Sequence, residues 1–146
     1  MNPRYVLKRE LLADPCLDVV GQRLPNHFLD RQATDSTPEL LALEELVTGI
    51  DESTVGIIFP EGTRVEPGVK SKYARGGTNI AIKAGAPIVP IALNAGAFWP
   101  ADKFLKRPGT VTVVIGEPID SRGRDSRELT EQVEAWIENE VSKLPS

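Results

Sequence analysis

The chain has 146 residues, 40% of them apolar and 26% charged, with a net charge of −4. That length suits one domain with a sizeable core, the balance excludes a disordered or collagen-like chain, and the acidic sign argues against nucleic-acid binding except at a local basic site. A single cysteine, Cys16, excludes an intrachain disulfide and a cysteine-based metal site and points to a reducing compartment.

The opening MNPRYVLKRELLADP is too charged for a signal peptide. No apolar stretch approaches the roughly 18 residues that span a bilayer. Within the opening, RYVLKREL (Arg4–Leu11) predicts a short strand running into a helix or turn. NHFLDR (Asn26–Arg31) predicts another short strand. STPELLALEELVTG predicts a helix: Ser36 or Thr37 caps it, Pro38 suits its first turn, and Glu39 favours the positive end of the dipole. Leu40, Leu43, Leu46 and Val47 recur at helical spacing, and Gly49 ends the run.

STVGIIFP is a continuous apolar strand bounded by Pro60, the kind buried on both faces of a parallel sheet. EGTRVEPGVKS is a turn-rich loop, and KYARGGTNIAIKAG a helix weakened by Gly76 and Gly77 and stopped by Gly85. APIVPIAL predicts a second buried strand, with Pro90 at a bulge or strand end. NAGAFWPADKFLKRPG is a loop, and TVTVVIGEPI a third strand ending at Gly116. From Asp125 the capping box DSRE opens a closing helix with Leu129, Val133, Trp136, Ile137 and Val141 on one stripe. Alternating strands and helices predict a single α/β domain over 1–146, with a central, mostly parallel sheet flanked by helices.

FPEGTR (Phe59–Arg64) sets a carboxylate, a glycine, a hydroxyl and a guanidinium in consecutive positions after an apolar strand. Gly62 lets the backbone turn sharply and approach a ligand. Arg64 offers a rigid donor fork that matches a phosphate bidentately. Glu61 can orient Arg64 or accept a substrate hydroxyl, and Thr63 adds a donor. The same residues also suit a plain tight turn with a local Glu–Arg pair. No Gly-Lys-Ser/Thr follows, so this is not a Walker loop; no Gly-x-Ser-x-Gly occurs, so there is no nucleophile elbow. FLDR (Phe28–Arg31) places a second arginine at a strand end, where an exposed Asp30–Arg31 pair is the plainer reading. His27 is the only histidine, and no serine or cysteine nucleophile is suggested beside it.

FLDR, FPEGTR and APIVPIAL, in this order and spacing, resemble the glycerolipid acyltransferases, the lysophosphatidic acid (1-acylglycerol-3-phosphate) acyltransferase family. VLKREL resembles the stretch shortly before that family's arginine motif, and PGTVTVVIGEPI its last strand, so the likeness runs from about Arg4 to Ile119. The resemblance implies that Arg31 and Arg64 hold the acceptor's phosphate, with Glu61, Gly62 and Thr63 shaping the same pocket. It places Pro90 in the acyl-pocket or structural strand motif. It implies acyl transfer from acyl-CoA or acyl-carrier protein to a lysophospholipid, with no metal, other cofactor or covalent intermediate. It further implies a cytoplasmic protein, peripheral at the inner face of the membrane.

One departure matters. Catalysis in the family rests on a histidine, four intervening residues and an aspartate, upstream of the VLKREL-like stretch. His27 does not fit, because the residue five positions on is Gln32. The resemblance therefore implies a domain lacking its N-terminal strand and catalytic helix, as in a gene fragment or a misassigned start, and inactive alone. A non-catalytic module for anionic lipid head groups, or a soluble α/β protein with structural arginines, are the rival readings. AFWPADKFLKRPG interleaves Phe98, Trp99, Phe104 and Leu105 with Lys103, Lys106 and Arg107, which suits an anionic membrane interface as well as an ordinary loop with a basic rim.

Overall fold

The structure is a computed structural model and describes residues 2–8, 26–29, 54–63, 65–100 and 105–145. They fall in two compact units, Met1–Phe59 and Pro60–Ser146. The helix expected at STPELLALEELVTG lies outside the described residues.

The first unit holds a three-stranded sheet of β1 (Asn2–Lys8), β2 (Asn26–Leu29) and β3 (Thr54–Ile57), in the order β2-β1-β3. Both pairs are parallel, with Lys8 opposite Leu29 and Tyr5 opposite Ile57. Parallel neighbours cannot be joined by a tight hairpin; residues 9–25 separate β1 from β2 in the chain, and residues 30–53 separate β2 from β3. β2 and β3 flank β1 on opposite sides, a reversal of strand order at whose carboxyl end open α/β sheets bind ligands. FPEGTR begins two residues past the end of β3. Val55 remains 40% exposed, so β3 is not enclosed on both faces as its apolar run predicts.

The second unit contains α1 (Gly76–Ala84), β4 (Ile91–Leu93), α2 (Ala95–Phe98), β5 (Val113–Ile115) and α3 (Ser126–Val141). Here the expected parallel pairing does not hold. β4 and β5 are antiparallel, with Ala92 opposite Val114, and the Ile88–Ile119 bridge extends the same antiparallel course. The cause lies in the connection: α2 is a single turn within NAGAFWPADKFLKRPG, too short for a crossover helix, so the chain doubles back. Nor is β4 buried on both faces. Ala92 is enclosed while Ile91 and Leu93, pointing the other way, are exposed.

α3 packs on β4 and on α1. Tyr73, Ala92, Val133 and Ile137 form the core cluster, with Ile88, Val114, Ile119, Trp136 and Val141 against it. The predicted stripe is thus the buried face of α3, where Leu129 is also enclosed. Asp125 caps this helix, its Oδ1 accepting the amides of Arg127 at 2.9 Å and Glu128 at 3.0 Å. α1 ends as read, at Gly85 with φ 62°, a left-handed conformation that favours glycine. The amides of Gly85 and Ala86 return to the carbonyls of Ile82 and Ala81, as in a Schellman motif. Ser121 completes this end of the helix: its buried hydroxyl donates to the carbonyls of Ala81 at 3.0 Å and Ala86 at 2.7 Å.

Candidate functional site

The FPEGTR turn is shaped by its own glycine and by one long-range backbone bond. Gly62 has φ 66°, where a Cβ is disfavoured. The Ala74 amide donates to the Pro60 carbonyl at 2.8 Å. Between them the chain reverses at Glu66–Val69, where the Val69 amide donates to the Glu66 carbonyl at 3.0 Å. α1 starts at Gly76 rather than Lys72, and the Ala74 amide just ahead of it is held by the Pro60 carbonyl.

Phe59 and Thr63 are exposed, while Pro60, Glu61 and Gly62 are half-buried. Burial, and then the nearby Glu138 carboxylate, push the Glu61 carboxyl above its ordinary range. The Tyr73 hydroxyl donates to Glu138 Oε1 at 3.1 Å, and the Tyr73 amide to Glu134 Oε2 at 3.5 Å. Burial first, then Glu61 and Glu138, raise the Tyr73 hydroxyl well above its ordinary range, so it remains a protonated donor. The turn thus presents a half-buried acid, backed by a tyrosine and two glutamates of α3.

Of the residues singled out from the sequence, Glu61, Gly62 and Thr63 share this turn. Arg31 and Arg64 lie outside the described residues, as does His27's side chain. Pro90 is buried immediately before β4, and its carbonyl accepts the Gly116 amide at 2.9 Å. Tyr73, Glu134 and Glu138 were not anticipated. Glu134 and Glu138, four residues apart beside the apolar stripe of α3, are the trace they leave in the sequence. Their meeting with Tyr73 joins positions more than sixty residues apart.

A second surface feature lies at α2. Trp99 is 61% exposed and Leu105 80%, with Lys106 Nζ 5.0 Å from the centre of the Trp99 ring. Phe98 is half-buried, and its carbonyl accepts the Arg107 amide at 2.9 Å. Lys103 and Phe104 lie outside the described residues. No helix among the described residues is long and apolar enough to cross a membrane.

Comparison with known proteins gives these features a context. A family profile described as Acyltransferase matches residues 1–94. The chain is 40% identical to a 1-acyl-sn-glycerol-3-phosphate acyltransferase of Pseudomonas aeruginosa, over 95% of this chain and 55% of that protein. It is 30% identical to the human 1-acyl-sn-glycerol-3-phosphate acyltransferase beta, over 81% of this chain and 42% of that one. Its fold is similar to the crystal structure of the 1-acyl-sn-glycerophosphate (LPA) acyltransferase PlsC from Thermotoga maritima, with a TM-score of 0.75, 28% identity, and coverage of 97% of this chain and 56% of that one. The chain thus spans about half the length of the relatives it matches. Motif order, fold and sequence identity agree, and the chain belongs to the acyltransferase family, alongside the 1-acyl-sn-glycerol-3-phosphate acyltransferases.

Proposed function

We propose that this chain supplies the acceptor-binding part of a phospholipid-synthesis acyltransferase, one that moves an acyl group from acyl-CoA or acyl-carrier protein to a lysophosphatidic-acid-type acceptor. The observation that carries this reading is the FPEGTR turn, which follows β3 in the chain, is bent at Gly62 and is held to Ala74. The names of the relatives supply the substrate class. In this reading Arg64 grips the acceptor's phosphate with its fork, Arg31 is a second phosphate donor, and Glu61 and Thr63 orient the bound group. Pro90 supports the acyl chain or the strand beside it.

The chemistry needs a general base on the acceptor hydroxyl, which then attacks the thioester carbonyl and releases the carrier thiol. His27 is the only histidine and has Gln32, not an aspartate, five positions on. The chain by itself therefore binds acceptor and turns over slowly, since loss of a general base costs on the order of 10²–10⁴-fold. Robust acyl transfer by the 146-residue chain, abolished by His27→Ala, overturns this.

Calorimetry with short-chain lysophosphatidic acid and with the matching monoacylglycerol tests the acceptor site. Lysophosphatidic acid binds and the monoacylglycerol does not. Arg64→Lys keeps the charge but loses the fork, and costs roughly 1–3 kcal/mol of binding. Equal binding of both lipids refutes a phosphate site.

The exposed Trp99 and Leu105 beside Lys106 and Arg107 favour contact with the anionic inner face of the membrane. Trp99→Ala with Leu105→Ala lowers co-sedimentation with phosphatidylglycerol vesicles. Unchanged sedimentation removes this surface from the membrane contact.

A further inference from the structure

The chain between β4 and β5 is held to itself or its surroundings at three levels. At its base Asn94, 8% exposed, grips both ends: its backbone carbonyl accepts the Ala97 amide at 3.1 Å, at the start of α2, and its Oδ1 accepts the Thr112 amide at 2.7 Å, one residue before β5. Along α2, a Cβ on Gly96 would lie 3.7 Å from Pro67 Cγ and 3.8 Å from the Val65 carbonyl oxygen, so the helix rests against the segment that leaves the motif turn. Further out, the Phe98 carbonyl accepts the Arg107 amide at 2.9 Å. The Phe98 ring lies on Gly109, where a Cβ would overlap its Cε1 and Cδ1. Any side chain at position 109 displaces the ring.

We propose that Phe98 seated on Gly109 is a positioning residue that presents Trp99 and Lys106, as a preformed pair, to an anionic bilayer. The register supplies the link. Trp99 follows Phe98 and Lys106 precedes Arg107, so the Phe98–Arg107 bond makes these two the next pair toward the tip. Lys106 Nζ accordingly lies 5.0 Å from the centre of the Trp99 ring. Phe98 is half-buried on its seat, while its neighbour Trp99 is 61% exposed and Leu105 80%. An indole sits at the headgroup level of a membrane, and an ammonium held on its ring meets lipid phosphate at the same depth. The described residues 94–100 and 105–112 carry Lys106 and Arg107 and no acid, in a chain whose net charge is −4. Local positive charge of this kind matches an anionic surface and not a zwitterionic one. A tip ordered by the fold also spares the bilayer contact the cost of ordering it. This purpose rests on the membrane contact proposed above; the seating of Phe98 on Gly109 does not.

The test uses the 146-residue chain carrying Trp136→Phe, which leaves Trp99 as its one tryptophan. Time-resolved fluorescence anisotropy of Trp99 in solution, co-sedimentation with phosphatidylglycerol or phosphatidylcholine vesicles, and the urea midpoint are read on each sample. The parent chain sediments with phosphatidylglycerol and not with phosphatidylcholine; equal sedimentation with both overturns the anionic partner. Gly109→Ala pushes the Phe98 ring off its seat and alters no exposed apolar or charged side chain. It adds a fast component to the Trp99 anisotropy decay and weakens phosphatidylglycerol binding by about fivefold, the cost of ordering one interface side chain afresh. Phe98→Ala does the same, and the double variant binds no more weakly than either single one, because both remove one contact. Gly76→Ala, where a Cβ meets nothing, leaves anisotropy and binding at the parent's values. Binding equal to the parent's in both Gly109→Ala and Phe98→Ala, while Trp99→Ala with Leu105→Ala still weakens it, overturns the positioning role, whatever the urea midpoint does. If Gly109→Ala loosens Trp99 while Trp99→Ala with Leu105→Ala sediments like the parent, the seat stands and the membrane contact falls instead.

Discussion

Replacing Ser121 by alanine isolates a contribution that no helix or strand pattern contains. Ser121 is fully enclosed at 0% exposure, and its Oγ lies 3.0 Å from the Ala81 carbonyl and 2.7 Å from that of Ala86. The Ala81 carbonyl keeps the Ala86 amide as a partner; the Ala86 carbonyl loses the hydroxyl. A typical intramolecular hydrogen bond contributes about 0.5–1.5 kcal/mol net, and a buried acceptor left bare costs about 1–3 kcal/mol. The weaker, shared bond at Ala81 adds little, so the Ala86 carbonyl sets the cost at about 2 kcal/mol. For a chain of this length that lowers Tm by roughly 4–8 °C. The assay is urea denaturation followed by circular dichroism, supported by a thermal scan. The control is Ser142→Ala, whose exposed hydroxyl donates to Asn139 at 2.7 Å and whose loss stays within about 0.5 kcal/mol. If Ser121→Ala and Ser142→Ala have the same urea midpoint, the hydroxyl of Ser121 does not hold the end of α1, and the reasoning fails.

Three further outcomes are expected. A Cβ at Gly116 would stand 2.6 Å from Trp136 Cζ2 and 2.9 Å from Pro90 Cγ, so Gly116→Ala costs about 1–3 kcal/mol by overpacking, and the cost shrinks in a Trp136→Leu background; an equal cost in both backgrounds rules out the clash. Asp125→Ala removes the cap of α3 and costs about 0.5–2 kcal/mol, whereas Asp125→Asn restores most of it, both read from urea midpoints. Glu61 binds its proton more tightly in the folded chain than in the unfolded one, so its contribution favours folding below 4.5 and is lost as pH rises through the higher folded value. Glu61→Gln accordingly gains stability over wild type as pH rises through that window, and a difference that is flat with pH contradicts the burial of this carboxyl.

Much of the site was legible because its signals are local. Gly62 follows a strand and must turn, and it has the positive φ that only glycine takes easily. Asp125 and Gly85 mark helix ends by chemistry that acts over one turn, and both appear where read. The residues behind Glu61 were not legible. Tyr73 reads as part of a helix, because its sequence neighbours favour one, yet the helix begins at Gly76 and Tyr73 lies ahead of it in the core cluster.

By itself the sequence determined the elements whose causes lie within a few residues: the apolar stripe of α3, the capped and glycine-stopped helices, the turn after β3, and the motif order that places the chain in its family. Only the tertiary structure decided the direction of β5 against β4 and the company each buried polar group keeps. The antiparallel pairing of β4 with β5 depends on how the intervening segment returns, which apolar periodicity does not encode. The half-burial of β4 depends on α3 covering one of its faces and not the other. The Tyr73–Glu138 and Ser121–Ala86 bonds join positions far apart in the chain, and hydrogen bonds of that kind are set by the closure of the fold rather than by any local preference.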